Sequence, residues 1–153
     1  MDVQIYLPPK NIYTLVAFNG TGSLNLTVPL TANIFEVNTY YGLANIEQIV
    51  ANEITVSTQS GYISMSHITA SNSITTNSES GQIHAKNITS GNSFTATSES
   101  GAIKITTLNS PSITTTSESG ATQLNNIEFE SLQTISSTSQ SGAIEVYIPV
   151  SKI

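Results

Sequence analysis

Apolar and polar residues alternate along this chain in a pattern that recurs about every twenty residues. The recurrence is marked by glycines at intervals of 20, 19, 20, 20, 19 and 22 residues: Gly22, Gly42, Gly61, Gly81, Gly101, Gly120 and Gly142. Residues two and four positions after each glycine are mostly apolar, and the residue between them is polar. A period of two is typical of a β-strand with one buried face. Each repeat therefore begins with a short strand.

A second alternating segment precedes each glycine, with inward positions seven and five residues before it. The first of these columns holds Leu15, Phe35, Ile54, Ile74, Phe94, Ile113 and Ile135. A third apolar column lies seven residues after five of the seven glycines and holds Ile49, Ile68, Ile88, Leu108 and Ile127. The segments between the columns are rich in Asn, Ser, Gly and Pro, which favour turns. No window shows helical periodicity.

A unit of this size cannot bury its own apolar face, so consecutive units are expected to stack with like residues above like. The sequence therefore predicts an all-β fold, a parallel β-solenoid (a single-stranded β-helix) of about seven coils. Each coil would rise by about 4.8 Å, the spacing between paired strands. The inner columns change to Thr and Ser towards the carboxyl end, which predicts a core less stabilised by burial there.

The motif Ser-Glu-Ser-Gly recurs at residues 78–81, 98–101 and 117–120. We expect it to form one corner of every coil. Its glycine would either adopt a positive φ or let the backbones of neighbouring coils approach closely. Its serines would bond turn amides through their hydroxyls.

The length suits one domain, residues 1–153, which we divide into amino-terminal capping coils (1–30), regular coils (31–133) and a carboxyl-terminal capping coil (134–153). Pro8, Pro29 and Pro149 each follow an alternating strand, and proline belongs on edge strands. The long interval before Gly142 contains "NNIEFESLQ", which predicts a loop leaving the wall. The start of the chain leaves two explanations, a cytosolic protein or a domain cut from a longer protein, and we favour the second because the repeat is in register from the first residue.

The composition excludes several classes of protein. Only 9% of residues are charged, four Lys oppose ten Asp and Glu, and the net charge is −6. Nucleic acid and anionic membranes require clustered Lys or Arg, so neither partner is expected. There is no cysteine for a disulfide framework. No apolar run is long enough to insert in a membrane, and the start, "MDVQIYLPPK", lacks the features of a signal peptide.

The stretches "SGYISM", "SGQIHA", "SGAIKI", "SGAIEVYIP" and "GSLNLTVP" resemble the repeat of the adhesin-like β-solenoid domains, which are domains of unknown function. The resemblance covers nearly the whole chain. It implies a solenoid that mediates attachment at a cell surface, and hence an extracellular or cell-surface location. It carries no catalytic or ligand motif. Members often have Asp after the glycine, whereas this chain has Tyr62, Gln82, Ala102, Ala121 and Ala143.

Three acidic residues, Glu79, Glu99 and Glu118, recur two positions before the glycines and would stack about 4.8 Å apart. At that distance two carboxylates repel each other by about 0.9 kcal/mol in bulk water. A Ca²⁺ ion between neighbours would relieve this repulsion, since it prefers oxygen ligands. The alternative is a ladder of solvated carboxylates. No other cofactor is predicted.

A regular array of hydroxyls is expected on the outer side of the strand that precedes each glycine. Its threonines are Thr55, Thr75, Thr95, Thr97, Thr114, Thr116 and Thr138. A flat Thr-x-Thr array on a β-solenoid is similar to the ice-binding face of several antifreeze proteins. The other explanation is the high β-propensity of Thr and its good pairing across strands.

Enzyme chemistry is not predicted. His84 and Lys104 fall in one outward column and His67 lies at a corner, without the convergent acids that a carbohydrate-active enzyme needs. Asn19, Asn25 and Asn87 fit the N-glycosylation pattern, which matters only in a secreted protein.

These features predict a non-catalytic, adhesin-like module that acts as a rigid surface for adhesion or as a spacer. Its Ser, Thr and Asn faces would bind a glycan or a cell-surface protein. The alternative is a structural unit that self-associates end to end. Ice binding and carbohydrate-active enzyme chemistry are more remote alternatives.

Overall fold

A computed structural model describes residues 12–128 and 130–149 of the chain. Every regular element in this part is a β-strand, so it contains no helix that could cross a membrane. The strands are β1 (Ile12–Thr21), β2 (Leu24–Leu26), β3 (Leu30–Tyr41), β4 (Leu43–Glu47), β5 (Ile49–Thr58), β6 (Tyr62–Ser78), β7 (Ile83–Ser90), β8 (Ser93–Ser98), β9 (Ile103–Asn109), β10 (Ser112–Ser117), β11 (Thr122–Ile127), β12 (Thr134–Ser139) and β13 (Ile144–Tyr147).

All strand pairs are parallel and join residues about one repeat apart, which gives the coil three faces. Face 1 follows the glycines and is formed by β2, β4, the first parts of β6, β7, β9 and β11, and β13. Face 2 is short and contains residues 30–32, 49–51, 68–70 and 88–90. Face 3 precedes the glycines and stacks in the order β1, β3, β5, end of β6, β8, β10, β12.

Equivalent residues of successive coils lie directly over one another. Ile63 pairs with Ile83, and Ile83 pairs with Ile103, and each is at most 1% exposed. The predicted parallel β-solenoid is therefore confirmed. It has about six turns between Gly22 and Gly142 with a partial turn at each end, slightly fewer than the seven coils expected.

The core is a continuous stack of aliphatic side chains around two phenylalanines, Phe35 and Phe94, that are fully buried. Towards the carboxyl end, polar residues such as Thr115 and Thr122 occupy the inward columns. Ile144 and Val146 were predicted to face inward, but they are 41% and 39% exposed. The reason is that β13 pairs with β11 on one side and with no described strand on the other.

The corner between faces 1 and 2 is formed by residues in the left-handed region, which the glycine pattern did not predict. Their φ angles lie between 53° and 61°, and the residues are Gln48, His67, Asn87, Thr107 and Asn126. Asn tolerates this conformation, whereas a β-branched residue such as Thr107 does so at a cost.

The Ser-Glu-Ser-Gly motif forms the corner between faces 3 and 1, as expected. A positive φ is found only at Gly22 and Gly42 among the described glycines, so that explanation is wrong for the later corners. Close approach is the general reason. A Cβ on Gly101 would lie 1.8 Å from the carbonyl oxygen of Gly81 in the preceding coil.

The first serine of each motif holds this corner together. The Oγ atoms of Ser78, Ser98, Ser117 and Ser139 each accept a hydrogen bond from the N–H of the glycine three residues later, at 2.8 or 2.9 Å. The Ser98 hydroxyl also donates to the carbonyl oxygen of Gly81 at 3.2 Å. The predicted capping of turn amides is thus confirmed.

The segment predicted as a loop, residues 125–133, begins inside β11, and its described residues from 128 onwards belong to no strand. Leu132 packs against the core from this loop. The Ser131 hydroxyl donates to the Asn109 side chain at 2.7 Å. Pro29 and Pro149 are exposed and follow β2 and β13, and each of these strands pairs with one other strand in the described part. Pro8 lies outside the described residues.

Candidate ligand-binding surface on face 3

The outer side of face 3 carries an uncharged array of hydroxyl and amide groups over its last four coils. Successive rows pair in register, so that Thr75 lies over Thr95 and Thr95 over Thr114. The array consists of Ser73, Thr75, Asn77, Ser93, Thr95, Thr97, Ser112, Thr114, Thr116, Thr134, Ser136 and Thr138. We call it the hydroxyl array.

The hydroxyl array is regular because the strands are. Rows are about 4.8 Å apart, and outward residues within a row are about 6.6 Å apart. Its side chains are half-buried or exposed, and each hydroxyl can both donate and accept a hydrogen bond. The array contains six of the seven predicted threonines, and the seventh, Thr55, lies in the neighbouring row on β5, where it pairs with Thr75. Ser136 and Asn77 interrupt the Thr-x-Thr pattern, and ice binding stays a prediction.

A pocket of about 350 Å³ lies where face 3 meets the Ser-Glu-Ser-Gly corner, at the ends of β3, β5 and β6. We call it the corner pocket. Its lining residues are Asn38, Thr39, Tyr40, Ser57, Thr58, Gln59, Asn77, Ser78 and Glu79.

Two residues at the base of the corner pocket are unusual. Thr39 and Thr58 are 5% and 4% exposed, and their hydroxyls have no hydrogen-bond partner. In the next coil the same column holds Ser78, whose Oγ accepts from the Gly81 N–H at 2.8 Å. Two of the three coils that line the pocket therefore have threonine in place of the capping serine.

A family model described as Toastrack DUF4097 matches residues 1–149. The chain belongs to this family. No curated protein and no solved structure matches the chain. Toastrack DUF4097 is a domain of unknown function, so the match supports the repeat architecture, while the adhesin-like resemblance is not confirmed.

The predicted glutamate ladder of this Toastrack chain lies along the Ser-Glu-Ser-Gly corner. Glu79, Glu99 and Glu118 are exposed there. The backbone N–H of Glu99 donates to the Ser78 carbonyl at 3.1 Å, and that of Glu118 donates to the Ser98 carbonyl at the same distance. Within the described residues, no cluster of three or more acidic or histidine side chains is placed to hold a metal ion. The calcium hypothesis stays a prediction without geometric support.

On face 1 of the Toastrack solenoid, His84 pairs in register with Lys104. Burial lowers the pKa of His84, and the charges of Lys104 and Lys86 lower it further. The Tyr62 hydroxyl lies 3.0 Å from His84 Nδ1. Both causes favour the uncharged form of this imidazole, and the expectation that this column has no catalytic role stays a prediction.

The remaining predicted residues lie apart from the hydroxyl array. His67 lies at the left-handed corner, where its Nε2 is 3.1 Å from the Asn87 amide nitrogen. Asn25 is exposed and accepts a hydrogen bond from the Asn45 amide at 2.8 Å. The Asn19 side chain lies outside the part that the structure describes. Whether Asn19, Asn25 or Asn87 carries a glycan stays untested.

Sequence reasoning did not find the corner pocket. The signal was present in two columns of the repeat. In the column two residues before the glycines, the earlier coils have Tyr40 and Gln59 where the next three coils have glutamate. In the column three residues before the glycines, they have Thr39 and Thr58 where the later coils have serine. Departures from a repeat in adjacent columns of adjacent coils indicate a local site.

Proposed function

We propose that this Toastrack domain is a non-catalytic, rigid scaffold at the cell surface, which presents the hydroxyl array to a glycan or a partner protein. The observation that carries the proposal is the array itself. Its twelve side chains are in register and outward, and none of them is charged. A flat surface of this chemistry exchanges hydrogen bonds with ligands that are themselves rich in hydroxyls and amides.

Rigidity supports this role. Strands β8 and β10 each pair on both sides, and the side chains beneath the array, such as Phe94 and Ile113, are fully buried. A surface fixed in this way loses little conformational entropy when it binds, because its backbone is already ordered.

The test measures retention under flow of beads coated with the domain, on polysaccharide-coated and cell-coated surfaces. Thr97→Lys places a long charged side chain at the centre of the array, and we expect retention to be lost. Ser64→Lys makes the same change on the outer side of face 1 and should leave retention unchanged. Circular dichroism confirms that both variants fold. Equal retention by the two variants would overturn the proposal, as would failure of the wild type to bind any surface.

A second candidate function, end-to-end self-association, is favoured by one observation. Strand β13 pairs with β11 on one side, and the neighbouring side chains of Ile144, Val146 and Ile148 are 39% to 41% exposed. A strand edge flanked by apolar side chains invites a further strand from a second copy.

Sedimentation velocity over a range of concentrations tests this association. The wild type should form larger species as its concentration rises, and Val146→Lys should suppress them. Val50→Lys is the matched control, because Val50 is 49% exposed on face 2, away from the strand edge. A monomer at every concentration contradicts end-to-end growth.

A further inference from the structure

We propose that the corner pocket binds one or two units of a neutral sugar, so that it is the specific subsite of the surface on face 3. This inference deepens the proposed function and rests on it. Ligand sites in proteins commonly enclose about 300 to 1,000 Å³. The corner pocket, at about 350 Å³, lies at the small end of that range. It suits a sugar ring or disaccharide rather than a long chain.

Two rows of polar side chains form the walls of the corner pocket. Outward residues of face 3 provide Asn38, Ser57 and Asn77, which pair in register across three coils. The corner provides Gln59 and Glu79 opposite them. Consecutive residues in each row are one coil apart, about 4.8 Å. Hydroxyls at different positions of a sugar ring therefore have different partners along each row.

The chemistry of these walls complements hydroxyl groups. The Asn38 amide nitrogen donates to a Glu36 carboxylate oxygen at 2.8 Å, which fixes the side chain and leaves its carbonyl oxygen to accept. Ser57, Gln59 and Asn77 have no side-chain hydrogen bond to the part of the chain described here, so their donors and acceptors are available to a ligand. The Glu79 carboxylate accepts strong hydrogen bonds from hydroxyls.

The base of the pocket provides an independent argument. Buried polar atoms without a hydrogen-bond partner are rare and call for an explanation. Three described hydroxyls are of this kind: those of Thr39 and Thr58, which line this pocket, and that of Thr122 on face 1. In the column of Thr39 and Thr58, Ser78 also lines the pocket but keeps its capping bond, and Ser98 and Ser117 hold the corner and line no part of the pocket. The fold therefore gives up two capping hydrogen bonds where the pocket lies.

Charge narrows the ligand class. Among the described residues, Glu36 and Glu79 are the charged groups at or beside the pocket, while Lys86 and Lys104 lie on face 1. Acidic sugars and phosphates are repelled by such a site. We therefore expect a neutral sugar.

The experiment is a calorimetric titration of the domain with cellobiose, maltose, N,N′-diacetylchitobiose and digalacturonate. We expect at least one neutral disaccharide to bind and digalacturonate not to bind. Glu79→Gln should weaken the binding at least tenfold, because a hydrogen bond to a neutral amide is weaker than one to a charged carboxylate. Glu99→Gln, the same change one coil further along the corner and outside the pocket, should leave the affinity unchanged.

Three results would overturn the proposal: no binding of any neutral disaccharide, equal binding of digalacturonate, or equal effects of Glu79→Gln and Glu99→Gln. A failure of this inference is distinct from a failure of the proposed function. If no sugar binds in the pocket but Thr97→Lys still abolishes retention on surfaces, the hydroxyl array binds without the pocket. If neutral sugars bind and retention does not respond to Thr97→Lys, the pocket binds without the array.

Discussion

The middle coils and the carboxyl-terminal coil are built from the same motif, yet they bury it to different degrees. Ser98 and Ser139 both accept the N–H of a glycine at 2.8 Å. Ser98 is fully buried between two neighbouring coils, whereas Ser139 is half-buried because no described strand lies beyond β12. Identical local geometry is therefore found in two different environments.

The apolar columns show the same difference. Ile113 is fully buried, Ile135 directly beside it is partly buried, and Ile144 on face 1 is 41% exposed. In stacked repeats each unit is stabilised chiefly by its two neighbours, so a unit with one neighbour is the weaker. We expect the carboxyl-terminal coil to open locally before the middle coils do.

The largest effect is expected from truncating the paired isoleucines. Ile113→Ala should lower the free energy of unfolding by about 3 to 4 kcal/mol, since a fully buried side chain leaves a cavity. Ile135→Ala should cost about 1 kcal/mol, because solvent and the movable last coil fill the space. Urea denaturation measures both. Equal losses would show that the last coil is as tightly packed as the middle.

A second effect comes from crowding the backbone at the corner. A Cβ on Gly101 would lie 1.8 Å from the Gly81 carbonyl oxygen, and one on Gly142 would lie 2.0 Å from that of Gly120. Gly101→Ala should cost about 3 kcal/mol, because two fixed coils must separate. Gly142→Ala should cost about 1 kcal/mol or less, because the last coil moves instead.

Gly20→Ala is the control for this pair, since no atom lies within 4 Å of the added Cβ. Its thermal midpoint should stay near that of the wild type. The comparison between the two regions fails if Gly142→Ala lowers the midpoint as much as Gly101→Ala.

The architecture could be predicted because every coil has the same pattern of apolar and polar positions. The columns of Ile63, Ile83 and Ile103 fix which face is inward, and parallel stacking then fixes the register. The exposure of Ile144 and Val146 could not be predicted in this way. A column pattern records which way a side chain points, but burial also depends on whether another coil covers it.

Local conformation was harder to predict than register. The left-handed corner carries Gln48, His67 and Thr107 as well as two asparagines, so its residue types give a weak signal. For the corner glycines the sequence left two explanations open, a positive φ or the close approach of neighbouring coils, and contact with the preceding coil decides between them. That constraint is a tertiary one, which appears only once the coils are stacked. The corner pocket likewise depends on three adjacent coils.

The smallest effect concerns the serine caps, and it separates hydrogen bonding from burial. Ser98→Ala leaves the Gly101 N–H without its partner in a buried corner, which should cost about 1 to 3 kcal/mol. Ser139→Ala removes the same bond where water replaces it, and should cost about 0.5 kcal/mol. Thr58→Val removes a hydroxyl that has no partner, so stability should be unchanged or slightly higher. Urea denaturation measures the loss in the free energy of unfolding for each variant. Equal losses for Ser98→Ala and Ser139→Ala would show that the two corners have the same access to solvent. The exposure of the last coil would then not explain its lower stability.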